Sequence, residues 1–580
     1  MRPKQRSPWK VQQDRSISEG EPLQDIRDSA SDDLRWALRR LMLLTLVGAC
    51  YLLLLFVAHA GEPDASSVQM FFRLFYLGEP VPIGLLGAFA AMAWWFLART
   101  PQTRDVQPDA SNLSAIAIGL VALSVSALIT AIAVGLLRDY AFSMDEFGAV
   151  FQARLFAAGR VSATVPSEWR QHVDAITPVF ITARPSDSAW VSLYLPGNAV
   201  IRAPFERAGV GWMSGVLLAI VSIAAIGGVA RRLWPNERMR QLASVGALAL
   251  STQFLVVAGT PYAMTAHLAV NLCWLYFWVR GGRVAYLAGP IGMIGILLHQ
   301  PIPHLLFAAP FGVRLLRDRQ WLLALWMGIC YVAALFVSLA WHDFVGFTSA
   351  TGGLISALAA PKLISWHVSL MHAVLLLTWQ TPFAALSFVV CLRRIRSLRP
   401  LEQDLLGGLI LSLVFYLFFR LVTQGHGWGW RYGHQVLGNM SLLCASAWPT
   451  VEKALGSSRA RQLALTSIVV TVVGQFPLRA RLVRNASAPF ADAYRWLRAQ
   501  DADIVIVPSD SIWYGRDLVR NQPGLPRPIL VFGTYAADSM RALKPLPAPA
   551  RVRRISVKEL TALGLEYVQK ERLRTVVRSH

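Results

Sequence analysis

The sequence is poor in charge. Only 16% of its 580 residues are Asp, Glu, Lys or Arg, against about a quarter in an ordinary soluble chain. That shortage, with 54% apolar residues and a mean hydropathy of +0.43, excludes a soluble globular enzyme. Acidic residues are the scarcer sign, 34 against 56 basic, which leaves a formal net charge of +22. A basic excess can mark a nucleic-acid partner. Here the basic residues gather in short loops between apolar runs, so no nucleic acid is expected. Cysteine is scarce too. Cys50, Cys273, Cys330, Cys391 and Cys444 lie in apolar runs, and none forms a CxxC pair. That excludes a redox motif or a thiolate metal cluster. No HExxH spacing occurs, and no internal repeat is evident.

What the sequence has is apolar length. A helix needs about 20 apolar residues to cross a bilayer. The runs predict about thirteen transmembrane helices, at 41–60, 81–98, 113–137, 209–230, 241–259, 262–279, 284–299, 302–316, 321–341, 367–391, 405–423, 434–450 and 461–478. The first has no cleavage site after it and reads as an uncleaved anchor. The expected class is an all-α polytopic membrane protein with a small α/β domain at its C-terminus. The expected parts are a charged, disordered tail over 1–36, two N-terminal spans within 37–112, a transmembrane core over 113–478 and the α/β domain over 479–580.

Lys and Arg in short loops set orientation. The segments Arg99 to Arg104, Arg231 to Arg240, Arg280 to Arg283, Arg314 to Arg319, Arg393 to Arg399 and Lys453 to Arg461 are basic. All fall on one side if the N-terminus is cytoplasmic. An odd number of spans then places 479–580 outside. The long loop 138–208 falls outside as well, and the 11 histidines map to the same side. In the tail, Asp503 to Pro508 and Pro528 to Phe532 read as short buried strands, and Arg553 to Leu563 as a strand turning into a helix.

The loop 138–208 is the most informative segment. Within Ser143-Met-Asp145-Glu146-Phe-Gly148, Ser143-x-x-Glu146 fits a capping box, and Asp145 falls in a first helical turn, where the dipole favours a carboxylate. Phe147, Val150, Phe151, Leu155 and Phe156 then share one face, and Gln152 and Arg154 lie off it. That pattern predicts an amphipathic helix in the interface plane, ended by Gly159. An acidic pair held there could serve as the base that activates an acceptor hydroxyl.

Asp-Glu at the outer end of an early span, followed by a Gln-x-Arg helix ending in Gly-Arg, resembles the GT-C superfamily of membrane glycosyltransferases. The likeness is to bacterial relatives of protein O-mannosyltransferases and of the lipid A aminoarabinose transferase. Tyr194-Leu-Pro-Gly-Asn198 is similar to the family's Tyr-x-Pro-Gly loop. Gly259-Thr-Pro-Tyr-Ala-Met-Thr-Ala-His267 is similar to its outer turn with Met-Ser-His. His299-Gln-Pro301 stands where many relatives have Arg-Pro. Trp428-Gly-Trp-Arg-Tyr432 is similar to its Gly-x-Arg-Tyr motif. The likeness covers about 115–450. Two departures stand out. The acidic pair follows the third span rather than the first, and His299 replaces an arginine.

The resemblance implies inverting sugar transfer from a polyprenyl-phosphate donor to a lipid, glycan or protein acceptor at the periplasmic face of the bacterial inner membrane. It makes Asp145 the catalytic base, with Glu146 beside it. The candidate substrate-binding residues are Gln152, Arg154, Tyr194, His267, His299, Trp430, Arg431, Tyr432 and His434, with Arg431 the first candidate for the leaving phosphate. Some relatives bind a divalent metal near the acidic pair, so the resemblance makes one possible here. Here His267, His299, His304 and His434, with Glu146 or Asp174, supply the ligand types, and ordinary interface polarity is the other role open to them. Two further readings remain: a flippase for a lipid-linked saccharide, and a non-catalytic assembly protein. Transporters place charge near the midplane of broken helices, whereas these spans are nearly free of charge. That favours an enzyme working at one face.

Overall fold

The computed structural model describes residues 23–59, 70–99, 111–184, 186–346, 366–418, 426–533 and 551–568. Of the disordered tail predicted over 1–36, residues 1–22 lie outside the described residues, and 23–36 are helical instead, as the first turns of the helix Leu23–His59. Helices dominate. Four of them lead to the informative loop: α1 (Leu23–His59), α2 (Met70–Gly78), α3 (Pro80–Ala98) and α4 (Ala115–Thr130), the last continued by a π-helical turn to Leu136. The helix inside the loop is α5 (Met144–Ala157).

Among the described residues, six helices are long and apolar enough to cross a membrane, or eight if each of two bent pairs counts as one span. The expected spans at 241–259 and 367–391 are these bent pairs. The first breaks by 49° between Ala249 and Thr252, and the second by 115° between Thr378 and Pro382. Thr381 caps the second half, accepting a hydrogen bond from the Ala384 amide, and Pro382 opens it. A cap and a proline inside an apolar run start a new helix, so hydropathy alone reads a sharp turn as a straight crossing.

The last expected span, 461–478, is the first half of one long helix, Ser457–Arg498, with a π-helical turn at Val470–Gln475. The boundary expected at 479 thus falls inside a continuous helix. Just there, Arg479 is fully buried and pairs bidentately with Glu79, at 2.6 and 2.8 Å. The Thr378 hydroxyl and the Trp379 indole also donate to Glu79, at 2.6 and 3.0 Å. A buried carboxylate left without these donors would cost several kcal/mol. The cluster therefore locks α3 to the long helix and to the sharp turn. The first two expected spans pack into the main core instead of standing beside it.

Two small sheets complete the fold. β1 (Ile181–Ala183) pairs antiparallel with β2 (Trp190–Ser192) inside the 138–208 loop. Beyond the long helix, β3 (Ile504–Val507), β4 (Ile529–Phe532) and β5 (Val552–Arg554) form a parallel sheet in the order β4-β3-β5. β5 leads into helix Val557–Ala562, which is opened by a full capping box at Ser556 and Glu559. The apolar runs in the tail are thus strands, as their composition suggests.

Candidate active site

The N-terminus of α5 is built as the sequence suggests, with one shift. Ser143 is the N-cap and accepts the Glu146 amide at 3.2 Å. The Glu146 carboxylate reaches past Ser143 to the amide of Phe142, at 2.9 Å. Its other oxygen is buried without a hydrogen-bond partner. Burial pushes this carboxyl up to about 8, so Glu146 is neutral at physiological pH.

Its neighbour is treated oppositely. Asp145 remains 18% exposed. One of its oxygens accepts the Tyr194 hydroxyl, and the other accepts Arg431 Nη1 at 2.7 Å. Burial pushes its pKa up, but the Arg431 charge and the Tyr194 hydrogen bond outweigh that and hold it below its ordinary value. Asp145 is therefore ionised. Tyr194 is held well above its usual pKa by burial and by the Asp145 charge, so it stays a neutral donor.

The motifs explain how these groups meet. The Tyr194-Leu-Pro-Gly-Asn198 loop lies against the end of helix Ala288–Leu297. A side chain at Gly197 would sit 2.6 Å from the Leu297 carbonyl oxygen, so only glycine permits this approach. The Asn198 amide donates to Leu298 at 2.9 Å, and its side chain holds the Pro261 carbonyl at 3.1 Å. These bonds set the Tyr194 ring against His299, with centroids 4.1 Å apart. Arg431 begins a short 3-10 helix, Arg431–Val436. Its guanidinium lies between the rings of Tyr262 and Tyr432, at 4.8 and 5.2 Å, and donates to the His426 carbonyl at 3.2 Å. Tyr432 in turn stacks on Tyr416 at 5.0 Å.

Asp145, Tyr194, His299, Arg431 and Tyr432 thus come together. The other predicted residues are placed elsewhere. Gln152 is buried and spends its side chain on the Val161 carbonyl and the Ser192 amide, at 2.8 and 3.1 Å. Arg154 is about 13 Å further along α5 at 1.5 Å per residue. It pairs with Glu206 at 3.1 Å and reaches Gln522. Four of the five residues of the predicted apolar stripe are buried in protein, and the fifth, Phe156, is half-buried with its ring against Trp341. Phe147, Val150, Phe151 and Leu155 pack on Val165, Trp169 and Trp190 and on Ile504, Ile506 and Val531 of the C-terminal sheet. Protein covers α5 where an interface helix would lie in the bilayer.

Trp430 is fully buried, with its ring against His372 and Tyr416. Trp428 stacks on Phe142 at 5.4 Å. Neither presents a face to an incoming ligand. His267 and His434 are buried with both ring nitrogens unpartnered. His304 bonds to Asn271 and Tyr331, each at 2.8 Å. Among the described residues no three His, Cys, Asp or Glu side chains converge where a metal could sit. The predicted donor set does not fit a divalent ion.

Sequence reasoning missed Tyr262, His426 and Arg520. Arg520 is almost fully buried, and it donates to the carbonyls of Ala141 and Phe142, the latter at 3.0 Å. Its guanidinium lies 4.2 Å from the Tyr140 ring. Nearby, the Asp517 carboxylate accepts a hydrogen bond from His426 Nε2 at 2.9 Å. The segment after the long helix therefore grips the strand of chain that leads into Asp145. A lone arginine in a stretch read as a separate domain carries no sequence signal for this.

No protein-family model matches the chain, and no curated protein does. Solved structures do. ArnT from Cupriavidus metallidurans, bound to undecaprenyl phosphate, superposes with a TM-score of 0.50 over 78% of this chain and 95% of that one, at 14% identity. The chain shares its fold with ArnT. The same protein in its apo state gives a TM-score of 0.49 at 12% identity, with the same coverage.

Proposed function

We propose that the chain is an inverting glycosyltransferase that uses a polyprenyl-phosphate sugar at the outer face of the bacterial inner membrane. The N-terminus lies in the cytoplasm and the C-terminal sheet outside. The observation that carries this reading is the ionised Asp145, held by Tyr194 and Arg431 at the start of a buried helix. Asp145 takes the proton of an acceptor hydroxyl. The acceptor oxygen forms a bond to the anomeric carbon as the bond from that carbon to the phosphate oxygen breaks. The configuration inverts, and polyprenyl phosphate leaves with the electron pair.

A carboxylate with a lowered pKa is a weak base. It suits an oxocarbenium-like transition state in which the leaving group departs early and little proton transfer is needed. Arg431 is the cation available to the phosphate as its charge grows. One guanidinium nitrogen holds Asp145 while the group as a whole stays planar between two tyrosines. The ArnT relative carries undecaprenyl phosphate, and the same lipid class is the donor carrier proposed here. The acceptor is an envelope lipid, glycan or protein.

The test is to incubate the purified protein in lipid with a panel of labelled polyprenyl-phosphate sugars and an envelope extract as acceptor source. Release of polyprenyl phosphate by the wild type supports the reading. Release by no donor in the panel, with the protein folded, counts against it.

A further inference from the structure

A cavity of about 610 Å³ lies away from Asp145, between α2, the start of α3, the long helix Ser457–Arg498 and the segment 564–566. That volume falls in the range of about 300–1,000 Å³ typical of ligand sites. Its walls are mostly apolar, with Leu77, Val81 and Leu482 among them, and its polar groups are Arg73, Arg481, Asn485 and Glu566. Glu566 is taken by Arg73, whose guanidinium also lies 4.8 Å from the Trp513 ring. Arg481 is exposed and has no ion-pair or hydrogen-bond partner among the described residues.

The cavity sits where the chain leaves the hydrocarbon. α3 begins its apolar span at Pro80. The long helix is mostly apolar from Leu463 to Leu478 and then carries Arg479, Arg481 and Arg484. A groove with greasy walls and an uncommitted cation at that depth matches the two halves of one molecule: acyl chains against Leu77, Val81 and Leu482, and a phosphate at Arg481 and Asn485.

We infer that this groove holds one anionic bilayer phospholipid. The bound lipid bridges the N-terminal helices to the C-terminal region, because those are the groove's two walls. The inference rests on the groove and its depth, and it does not depend on the transferase reading.

The test is native mass spectrometry of the full-length protein in detergent, titrated with phosphatidylglycerol, phosphatidylcholine or glycerol phosphate. The wild type should retain one phosphatidylglycerol in preference to phosphatidylcholine. Arg481→Gln should weaken that retention by about five-fold, the value of one basic residue at a membrane surface. Val81→Trp, which fills the apolar wall, should weaken both lipids. Arg484→Gln, on the same helix but outside the groove, should change neither. The inference falls if Arg481→Gln retains the lipid like the wild type. It falls equally if Arg484→Gln costs as much, since that marks a diffuse basic surface. Competition by glycerol phosphate at lipid-like concentrations would mean a free phosphate site and would also overturn it.

Discussion

At the N-terminal end of α5, Asp145 is held by Tyr194 and Arg431, which come from distant parts of the chain. At its C-terminal end, Gln152 ties down the Val161 and Ser192 backbone, and Arg154 pairs with Glu206 on the exposed side. Both ends carry polar residues of the kind that bind a phosphorylated sugar. Only one is joined to the motif loops. The other end is scaffolding for the β1-β2 hairpin and for the contact with the C-terminal sheet. Polar identity therefore says little here, and convergence of separate motifs says much.

The largest effect that would break this contrast is at Asp145. Asp145→Asn keeps the shape and removes the base, and turnover should fall by about 10²–10⁴-fold; it also leaves the buried Arg431 cation without its carboxylate, so the melting temperature should fall as well. Arg431→Gln should cost about 10²–10³-fold in kcat. It should also lower stability, because it strands the Asp145 charge; a thermal melt beside the rate assay reads both. Arg520 acts through the Ala141 and Phe142 carbonyls and not on substrate, so it is a positioning residue. Arg520→Ala should lower kcat by roughly ten-fold, well below a direct loss of the base, with the donor KM held, and Arg520→Lys should recover part of it. A matched rise in KM instead would place Arg520 in donor binding.

Glu146 sharpens the contrast between neighbours. Its pKa is raised from an ordinary 4.5 to about 8 by burial. Its neutral form is the one the fold accommodates. That contribution to stability is fully present below about pH 4.5 and is lost as pH rises through about 8. Glu146→Gln mimics the neutral form. The melting temperature of the wild type should therefore drop relative to Glu146→Gln between about pH 5 and about pH 9. A constant difference would show that the carboxyl is ionised throughout. The smallest effect belongs to Arg154. It is 45% exposed, and its ion pair is worth at most about 1 kcal/mol. Arg154→Ala should leave turnover within about two-fold.

Much of this was legible in the sequence. Asp145 and Arg431 sit in short motifs whose order and common side pick them out. The tail strands were legible as short apolar runs flanked by turn residues. The sharp turn at 378–382 was not, because Thr381 and Pro382 interrupt hydrophobicity too briefly to register in a long run. The surroundings of α5 were not legible either. A helix with an apolar stripe looks the same facing lipid or facing Trp190 and Ile506. The Tyr194 to Asp145 contact depends on Gly197 meeting Leu297, 100 residues away in the chain, and no local pattern carries that. Glu146 resembled the second half of a capping box and became one shifted by a residue, which left one oxygen unpartnered.

The most direct measurement is release of polyprenyl phosphate from a turned-over donor by Asp145→Asn and Arg154→Ala, assayed side by side with the wild type in the same lipid. The account predicts that Asp145→Asn is all but silent while Arg154→Ala keeps nearly the wild-type rate. Equal losses at both ends of α5, or an Asp145→Asn protein that releases polyprenyl phosphate like the wild type, would contradict it.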